Sequence, residues 1–167
     1  MQEHTTSIEA RLALEAIDGG AWLGQVRAEL EARGEGHGAL VCFEGVVRPR
    51  TKAAERLDAL ILDHHPRLTA PSLTEIASEG ARRFAVRTLC VIHRAGVMSP
   101  GDVIVMVAVA SDHRREAFEC ADYLMDRLKT DAVFWKRERG AFGERWIEPT
   151  NRDVSDRERW DEKNAGN

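Results

Sequence analysis

The sequence predicts an α+β fold, in which helices and strands interleave along one domain. Amphipathic helical patterns and apolar strand patterns follow one another without the strict strand–helix–strand alternation that builds a parallel sheet. The chain has 167 residues, 43% of them hydrophobic and 31% charged, which is typical of a globular protein with a proper core. We expect residues 1–150 to form the domain and residues 151–167 to form a polar C-terminal tail.

The N-terminal half is predicted to contain strands and one amphipathic helix. From Ser7 to Leu14 apolar and polar residues alternate, which is typical of a strand at the edge of a sheet. Asp18-Gly19-Gly20 then interrupts this alternation before the helical pattern begins. The expected elements are a strand over 7–14, a helix over 22–33, a turn over 34–38, a strand over 39–47, a mobile loop over 51–56 and a strand over 57–63.

The C-terminal half is predicted to hold two helices, two further strands and a terminal hairpin. Thr69 or Ser72 can cap the first helix, and Ser111 can cap the second. From Thr150 onward the chain is mostly polar, so we expect it to be loosely ordered unless a partner subunit holds it. The expected elements are a helix ending near 84, strands over 86–92 and 103–110, a helix from 111, and a hairpin of strands over 133–139 and 145–148.

The segment from Asp126 to Glu138 carries two lysines, Lys129 and Lys136, where a helix gives way to a strand. On a helical projection Lys129 falls roughly 20° from Phe118 and Arg114 about 40° from it, beside the predicted apolar stripe. Cations on the buried side of a helix are costly unless an anion or a cavity receives them, which predicts an anion-binding pocket. A lysine at a helix C-terminus is also favourable against the helix dipole, so a purely structural role stays open. The predicted stripe consists of Ala117, Phe118, Ala121, Leu124, Met125 and Leu128.

Charge and hydropathy limit the function classes. The formal net charge of −4 argues against general nucleic-acid affinity, because such binding relies on a basic surface. An anion site must therefore be a local basic cluster in an acidic protein. No apolar run approaches the length of a membrane span and the N-terminus lacks a signal-peptide core, so we expect a cytoplasmic protein that binds no membrane and no nucleic acid.

The cysteines give little sign of chemistry. Cys42, Cys90 and Cys120 are widely spaced without a Cys-x-x-Cys pair, and a small buried hydrophobe is the favoured interpretation for all three. The six histidines show no zinc-ligand spacing with them, so no metal is expected. The sequence also has no Gly-x-Ser-x-Gly turn and no glycine-rich phosphate loop, and no cofactor is expected.

A series of sequence strings, in order along residues 38–149, carries a resemblance to a known family. The strings are Phe43-Glu44-Gly45-Val46-Val47-Arg48, Leu62-Asp63-His64-His65-Pro66, Val91-Ile92-His93-Arg94-Ala95-Gly96, Pro100-Gly101-Asp102, Ser111-Asp112-His113-Arg114, Met125-Asp126 through Glu138, and Arg145-Trp146-Ile147-Glu148. With them the chain closely resembles the large, catalytic subunit of molybdopterin synthase.

The resemblance implies a fold, an assembly and a reaction. The fold is an α/β-hammerhead core with an additional small antiparallel β subdomain, and the large subunits pair as a homodimer. In the implied reaction, cyclic pyranopterin monophosphate receives two sulfur atoms and becomes the dithiolene molybdopterin, the precursor of the molybdenum cofactor. The sulfur arrives as a thiocarboxylate on the C-terminal Gly-Gly tail of a small ubiquitin-like carrier subunit. One carrier docks on each large subunit, which gives a heterotetramer.

The resemblance also implies site residues. The implied catalytic residues are Lys129 and Lys136, which can hold a carboxylate and a developing oxyanion or act as base or nucleophile. The implied substrate-binding residues are Val46, Val47, Arg48, His113, Arg114, Arg137 and Glu138. Val46 stands where many relatives have a lysine, so one cation is missing. Thr150 stands where relatives contribute a basic residue from the second subunit, and Arg152 is the candidate substitute.

Two other function classes stay open from the sequence. A non-catalytic module could use the same basic pocket to bind the carrier protein or an anionic metabolite, although the presence of both lysines argues against it. A cysteine-based sulfurtransferase would require an exposed cysteine with a low pKa, and none of the three is placed for that role.

Overall fold

The computed structural model describes residues 6–34 and 36–162, and four helices and eight strands lie in this part of the chain. The helices are α1 (Gly19–Arg33), α2 (Thr69–Arg83), α3 (Arg114–Thr130) and α4 (Asn151–Glu162). The strands are β1 (Ser7–Ala13), β2 (Ala39–Val46), β3 (Ala59–His64), β4 (Thr88–Arg94), β5 (Gly96–Met98), β6 (Val103–Ser111), β7 (Phe134–Gly140) and β8 (Gly143–Ile147). Within the described ranges, none of the helices has both the length and the apolar character needed to span a bilayer.

The first sheet has the strand order β1-β4-β6-β2, with α1 on one face and α2 and α3 on the other. Strand β6 is buried on both faces, because Val107 packs with α2 and α3 while Met106 packs with α1. Burial on both sides explains why its sequence is a nearly continuous apolar run. Strand β1 pairs in parallel with β4 at one edge, which confirms the edge strand predicted over 7–14.

The second sheet has the order β5-β3-β7-β8 and is antiparallel throughout. The predicted terminal hairpin is confirmed as β7 and β8, whose turn ends at Gly143 with a φ of 88° that favours glycine. One face of this sheet covers a separate small core made of Val47, Leu57, Leu60, Leu62 and Met98. The expected α+β fold with an additional antiparallel sheet is therefore confirmed.

The C-terminal segment forms a helix packed on α3, so the expectation of a loosely ordered tail is wrong for residues 151–162. The Trp160 side chain is only 3% exposed, and its indole N–H donates to Asp126 at 2.7 Å. Arg159 donates to Asp122 and Asp126 of α3 at 2.7 and 2.8 Å. One buried aromatic side chain and several charged contacts are enough to fix a segment whose composition is mostly polar.

The start and the buried face of α3 also differ from the prediction. Ser111 is the buried last residue of β6, and its hydroxyl donates to the His113 carbonyl instead of capping the helix. Phe118 is 62% exposed, because α3 packs through a face that includes its neighbour Ala117 instead. This buried face consists of Ala117, Cys120, Ala121, Tyr123, Leu124 and Leu128. Lys129 and Arg114, which were projected from Phe118, are consequently exposed, and their predicted burial is wrong.

The loop over 51–56 was expected to be mobile because nothing in it could anchor in a core, and this reasoning is wrong. Thr51 is buried, and its backbone N–H donates to the Glu55 carbonyl at 2.9 Å, which closes the loop as a turn. Glu55 in turn pairs with Arg145 of β8 at 2.5 Å. The loop is therefore tied to the second sheet by a charged contact.

The cysteines follow the prediction in part. Cys90 and Cys120 are buried as expected, and burial raises the pKa of each thiol to about 12. Cys42 is exposed, because it lies on β2 at the edge of the first sheet, so its predicted burial is wrong. Partial desolvation and the charge of Glu44 still raise the pKa of Cys42.

Candidate active site

Strand β7 directs two of the predicted site residues toward the inside of the second sheet. Successive strand residues point to opposite faces, and directly paired residues share a face. Lys136 pairs with Leu62 of β3, and Glu138 pairs with Leu60, both of which belong to the small core under this sheet. Lys136 is therefore half-buried, whereas the neighbouring Trp135 is exposed.

Lys136 lies among cations from separate segments of the chain. Burial has the largest effect on its pKa and lowers it, and the charges of Arg48, Lys129 and Lys52 lower it further. Glu138 raises the pKa but does not outweigh the other effects. Arg48 and Lys52 follow β2, Lys129 lies in the last turn of α3, and Lys136 lies in β7. We call this cluster the basic site, and its members are Arg48, Lys52, Lys129 and Lys136, with Glu138 beside them.

Lys129 reaches the basic site from the C-terminal end of α3, where the helix dipole favours a cation. Its side chain is 60% exposed, and its Nζ lies 3.5 Å from the Oδ1 of Asp153 on α4. Arg152 is the neighbour of Asp153 on the same helix, with a side chain 89% exposed and 3.7 Å from Asp156. The end of α3 and the start of α4 therefore bring two exposed cations to the same region of the surface.

The end of β2 fixes the position of Arg48. A register shift between Gly45 and Val46 marks a β-bulge, after which the chain leaves the sheet. Val47 is buried, and its N–H donates to the Asp102 carbonyl at 2.9 Å, which holds the chain just before Arg48. Val46 is exposed and apolar. Of these three predicted binding residues, Arg48 supplies the charge, and Val47 supplies the packing that anchors it.

Lys52 is a site residue that the sequence reasoning missed. Glu55 on the same loop pairs with Arg145, which also lies 3.5 Å from Glu138. This chain of charges ties the loop to β7 and β8 and keeps Lys52 within electrostatic reach of Lys136. The local sequence signal for this arrangement was Glu55, three positions after Lys52. Its partner Arg145 is 90 residues away, so the pair could not be inferred from the local pattern.

Arg137 projects from the opposite face of β7 and lies apart from the basic site. Its Nε donates to Asp63 at 2.8 Å and its Nη1 donates to Glu144 at 2.6 Å. Its guanidinium carbon is 5.2 Å from the centroid of the Trp146 ring. These contacts hold the Arg137 side chain on the outer face of the second sheet, away from Lys136.

His113 and Arg114 lie at the other end of α3 from Lys129. At a rise of about 1.5 Å per residue, Lys129 lies fifteen positions and roughly 22 Å along the helix from Arg114. A single protomer therefore does not bring these two predicted groups into one pocket. An open groove lies around His113 and Arg114, and its walls are His113, Arg114, Arg115, Glu116, Phe118 and Glu119.

The basic site has the chemistry of an anion-binding pocket that also contains an amine with a lowered pKa. Guanidinium and ammonium groups suit phosphate and carboxylate ligands, and a half-buried lysine suits proton transfer or nucleophilic attack. In residues 6–34 and 36–162 there is no group of three His, Cys, Asp or Glu side chains that could hold a metal ion.

The fold and the site thus define an α+β protein with a cluster of cations, suited to anionic ligands, beside its second sheet. The family model described as MoaE protein matches residues 21–131. The chain belongs to the MoaE protein family.

Individual relatives agree with this assignment. The chain is 49% identical over 126 residues to a molybdopterin synthase catalytic subunit of Caulobacter vibrioides, which covers 75% of this chain and 82% of the relative. It is 41% identical over 160 residues to the protein of the same name from Yersinia pestis, covering 96% of this chain and 100% of the relative. A solved structure of the molybdopterin biosynthesis MoaE protein from Burkholderia ambifaria superimposes with a TM-score of 0.73 at 37% identity, covering 93% of this chain and 98% of that one.

Proposed function

We propose that this member of the MoaE family is the catalytic subunit of a molybdopterin synthase. It transfers sulfur from the thiocarboxylated C-terminus of a small ubiquitin-like carrier subunit to cyclic pyranopterin monophosphate, which forms the molybdopterin dithiolene. The observation that carries the proposal is the basic site, where Lys136 has a lowered pKa among three further cations. The relatives named molybdopterin synthase catalytic subunit support the same reaction.

The reaction makes two demands that the basic site can meet. Each transfer forms a carbon–sulfur bond on the pterin side chain and breaks a carbon–oxygen bond at the same carbon, whose oxygen leaves as water or stays with the phosphate. The bond between sulfur and the acyl carbon of the carrier breaks as well, and the carrier ends as a carboxylate after water supplies the oxygen. Negative charge develops on the acyl oxygen and needs a nearby cation. A proton must also be removed from the attacking group, which needs a base.

The two lysines suit different parts of this work. Desolvation and the neighbouring cations lower the pKa of Lys136, so a larger fraction of it is neutral and able to accept a proton. Lys129 is exposed at the edge of the site, where an incoming carrier tail can reach its ammonium. We assign proton transfer to Lys136 and contact with the carrier thiocarboxylate to Lys129.

Arg48 and Lys52 are assigned to the phosphate of the substrate. A guanidinium can bind phosphate through two parallel N–H donors, and an ammonium adds a point charge. Many relatives have a lysine at the position of Val46, and in this chain Lys52 of the loop supplies a cation instead. Glu138 helps to keep Arg145 and the loop in position, since it lies 3.5 Å from Arg145, which pairs with Glu55 of the loop.

His113 and Arg114 require a partner protomer in this assignment. They lie roughly 22 Å along α3 from Lys129, so they serve a basic site only if a second large subunit brings them to it. We therefore propose a homodimer in which each basic site receives His113 and Arg114 from the other protomer, with one carrier bound per large subunit. Substrate binding by Arg137, a contribution from Arg152 across the dimer, the domain limit at residue 150 and a cytoplasmic location all stay predictions.

The cysteine-based alternative has little support. A persulfide carrier needs an accessible thiol with a low pKa. Burial raises the pKa of Cys90 and Cys120 to about 12, and partial burial also raises that of the exposed Cys42. A binding module without turnover would gain nothing from the lowered pKa of Lys136, because a partly neutral amine binds an anion less well than a fully protonated one.

The deciding experiment is single-turnover conversion of cyclic pyranopterin monophosphate with thiocarboxylated carrier. We expect dithiolene product from the native protein and almost none from a folded Lys129→Ala variant, whereas Arg82→Ala, at an exposed ion pair on α2, should behave as the native protein. Product from Lys129→Ala at the native rate would overturn the role assigned to Lys129. Carrier binding without product from the native protein would favour the non-catalytic binding module.

A further inference from the structure

Asp153 on α4 has two carboxylate oxygens with separate partners. Its Oδ2 accepts hydrogen bonds from the backbone N–H and the hydroxyl of Thr150, at 2.8 and 2.6 Å. The Asp153 backbone N–H in turn donates to the Thr150 hydroxyl oxygen at 3.2 Å. This reciprocal arrangement is a capping box, with aspartate at the position where glutamate is usual. The other oxygen, Oδ1, faces the Nζ of Lys129 at 3.5 Å.

The helix that carries Asp153 is fixed at its far end as well. Trp160 is buried against α3, and its indole N–H bonds to Asp126, one turn before Lys129. Arg159 adds contacts to Asp122 and Asp126. Since Asp153 faces Lys129 while Trp160 faces Asp126, α4 runs antiparallel to α3 and holds the carboxylate at a preset position.

Lys129 needs a charged partner such as the Asp153 carboxylate if its ammonium is to keep a defined position. Its side chain is largely exposed and has four rotatable bonds, so without a contact it would sample many rotamers. A reacting group that is displaced by about 1 Å can lose a large part of its effect on the rate. The capping box uses one oxygen of Asp153 to fix the backbone and leaves the other oxygen to fix the lysine.

We infer that Asp153 is a positioning residue that holds the Lys129 ammonium at the edge of the basic site. The inference rests on the proposed function, because it concerns the lysine assigned to the carrier thiocarboxylate. It explains why a segment outside the predicted domain matters for the site. It also gives the C-terminal helix a task in catalysis, besides the packing of Trp160 against α3.

The charge state of Asp153 agrees with this role. Partial burial alone would raise its pKa, but the hydrogen bonds from Thr150 and the charge of Lys129 outweigh burial and lower the pKa to about 2. The carboxylate therefore stays charged throughout the pH range of an enzyme assay.

Four variants distinguish a role of Asp153 in positioning Lys129 from a role that only stabilises the protein. Asp153→Asn keeps an oxygen that can accept from the Thr150 N–H but removes the charge that faces Lys129. Asp153→Glu keeps the charge and restores the usual capping-box residue, so it should rescue the function. Thr150→Val removes the hydroxyl of the box and keeps the carboxylate. Asp161→Asn is the matched control, because it removes one carboxylate of the same helix that pairs with Arg157 rather than with Lys129.

The first measurement is the single-turnover rate constant together with the dissociation constant of the carrier. We expect Asp153→Asn to lower the rate constant about tenfold while Asp153→Glu stays within about threefold of the native protein. Asp161→Asn should have the same rate constant as the native protein. The rate constant of Thr150→Val should lie between those of Asp153→Asn and the native protein. A native rate for Asp153→Asn would overturn the inference. Equal losses for Asp153→Asn and Asp153→Glu, with lower melting temperatures and weaker carrier binding, would assign Asp153 a structural role instead.

A second measurement does not depend on turnover. The chain has four lysines, so selective ¹³C labelling of lysine resolves the ε-carbons, and the Lys129→Arg variant assigns the Lys129 signal. We expect the order parameter of the Lys129 ε-carbon to fall in Asp153→Asn and to stay unchanged in Asp161→Asn. An unchanged order parameter in Asp153→Asn would overturn the positioning role. If the native protein made no dithiolene but the order parameter fell as expected, the proposed reaction would fail while the contact between Asp153 and Lys129 would stand.

Discussion

Lys129 and Lys136 belong to the same basic site, yet the protein holds them in opposite ways. Lys136 lies on a strand, half-buried beside Arg48 and Lys52, and burial is the main reason that its pKa is lowered. Lys129 lies at the end of a helix, largely exposed, and faces the carboxylate of Asp153. The sheet therefore tunes the acidity of one lysine through desolvation, whereas a second helix sets the position of the other through an ion pair. The same residue type acquires two roles from its surroundings.

The sharpest test of this difference is replacement of each lysine by arginine. Arginine keeps the positive charge but cannot lose its proton in a protein, so it can replace a cation and cannot replace a base. We expect Lys136→Arg to lower the single-turnover rate constant by about a hundredfold or more, which is the usual contribution of a general base. We expect Lys129→Arg to lower it by about tenfold or less, because the positive charge is kept while its position changes. Equal losses in the two variants would contradict the division of roles.

A smaller effect is expected at the phosphate-binding residue. Arg48→Ala removes a bidentate donor and should weaken binding of cyclic pyranopterin monophosphate by about tenfold, because charge-assisted hydrogen bonds are stronger than neutral ones. Equilibrium binding of the substrate without carrier measures this directly. Arg50→Ala is the matched control, since Arg50 lies on the same loop but donates to the Ala54 carbonyl at 2.9 Å. Equal loss in both variants would mean that loop structure, rather than the Arg48 charge, determines the affinity.

Disruption of α4 should affect the two lysines unequally. Trp160→Ala removes a buried aromatic side chain and should lower the free energy of unfolding by about 3 kcal/mol. Because α4 carries Asp153, we expect the single-turnover rate constant to fall about threefold at a temperature where the variant is folded. Substrate binding at Arg48 should be unchanged. A variant that loses stability but keeps the full rate would show that α4 does not position Lys129.

The smallest expected effect is a shift of the pH–rate profile in Glu138→Gln. The rate should rise with pH as Lys136 loses its proton, and a lowered pKa moves this rise to lower pH. Glu138 raises the pKa of Lys136, so its removal should lower the pKa further and move the rise to still lower pH. The profile of single-turnover rate constants between pH 6 and pH 10 measures the shift. A move to higher pH would contradict the assigned direction.

The fold class and the hairpin were predicted, since local periodicity and turn residues carry that information. The inner direction of Lys136 was not predicted, because alternation along a strand shows which side chains share a face but not which face is the inner one. The pairing of Lys136 with Leu62 of β3 was needed to decide it. The placement of Lys129 was wrong because two adjacent apolar residues, Ala117 and Phe118, competed for the buried face of α3. Helical periodicity alone could not tell that the smaller side chain faces the sheet.

Contacts between distant segments explain what the sequence reasoning missed. Lys52 joins the basic site because Glu55 pairs with Arg145, and Asp153 meets Lys129 because Trp160 anchors α4. Each contact links residues that are far apart in the chain, so composition predicted a mobile loop and a loose tail. The Thr-x-x-Asp spacing at the start of α4 was the one local signal that a helix begins there.

A ¹³C NMR titration of the Lys136 ε-carbon, assigned by comparison with Lys136→Arg, tests whether Lys136 can serve as the base. We expect the pKa of Lys136 to lie below the ordinary lysine value of 10.5 in the native protein and to rise when Arg48 is replaced by alanine. A pKa at or above the ordinary value would contradict the role of Lys136 as the base.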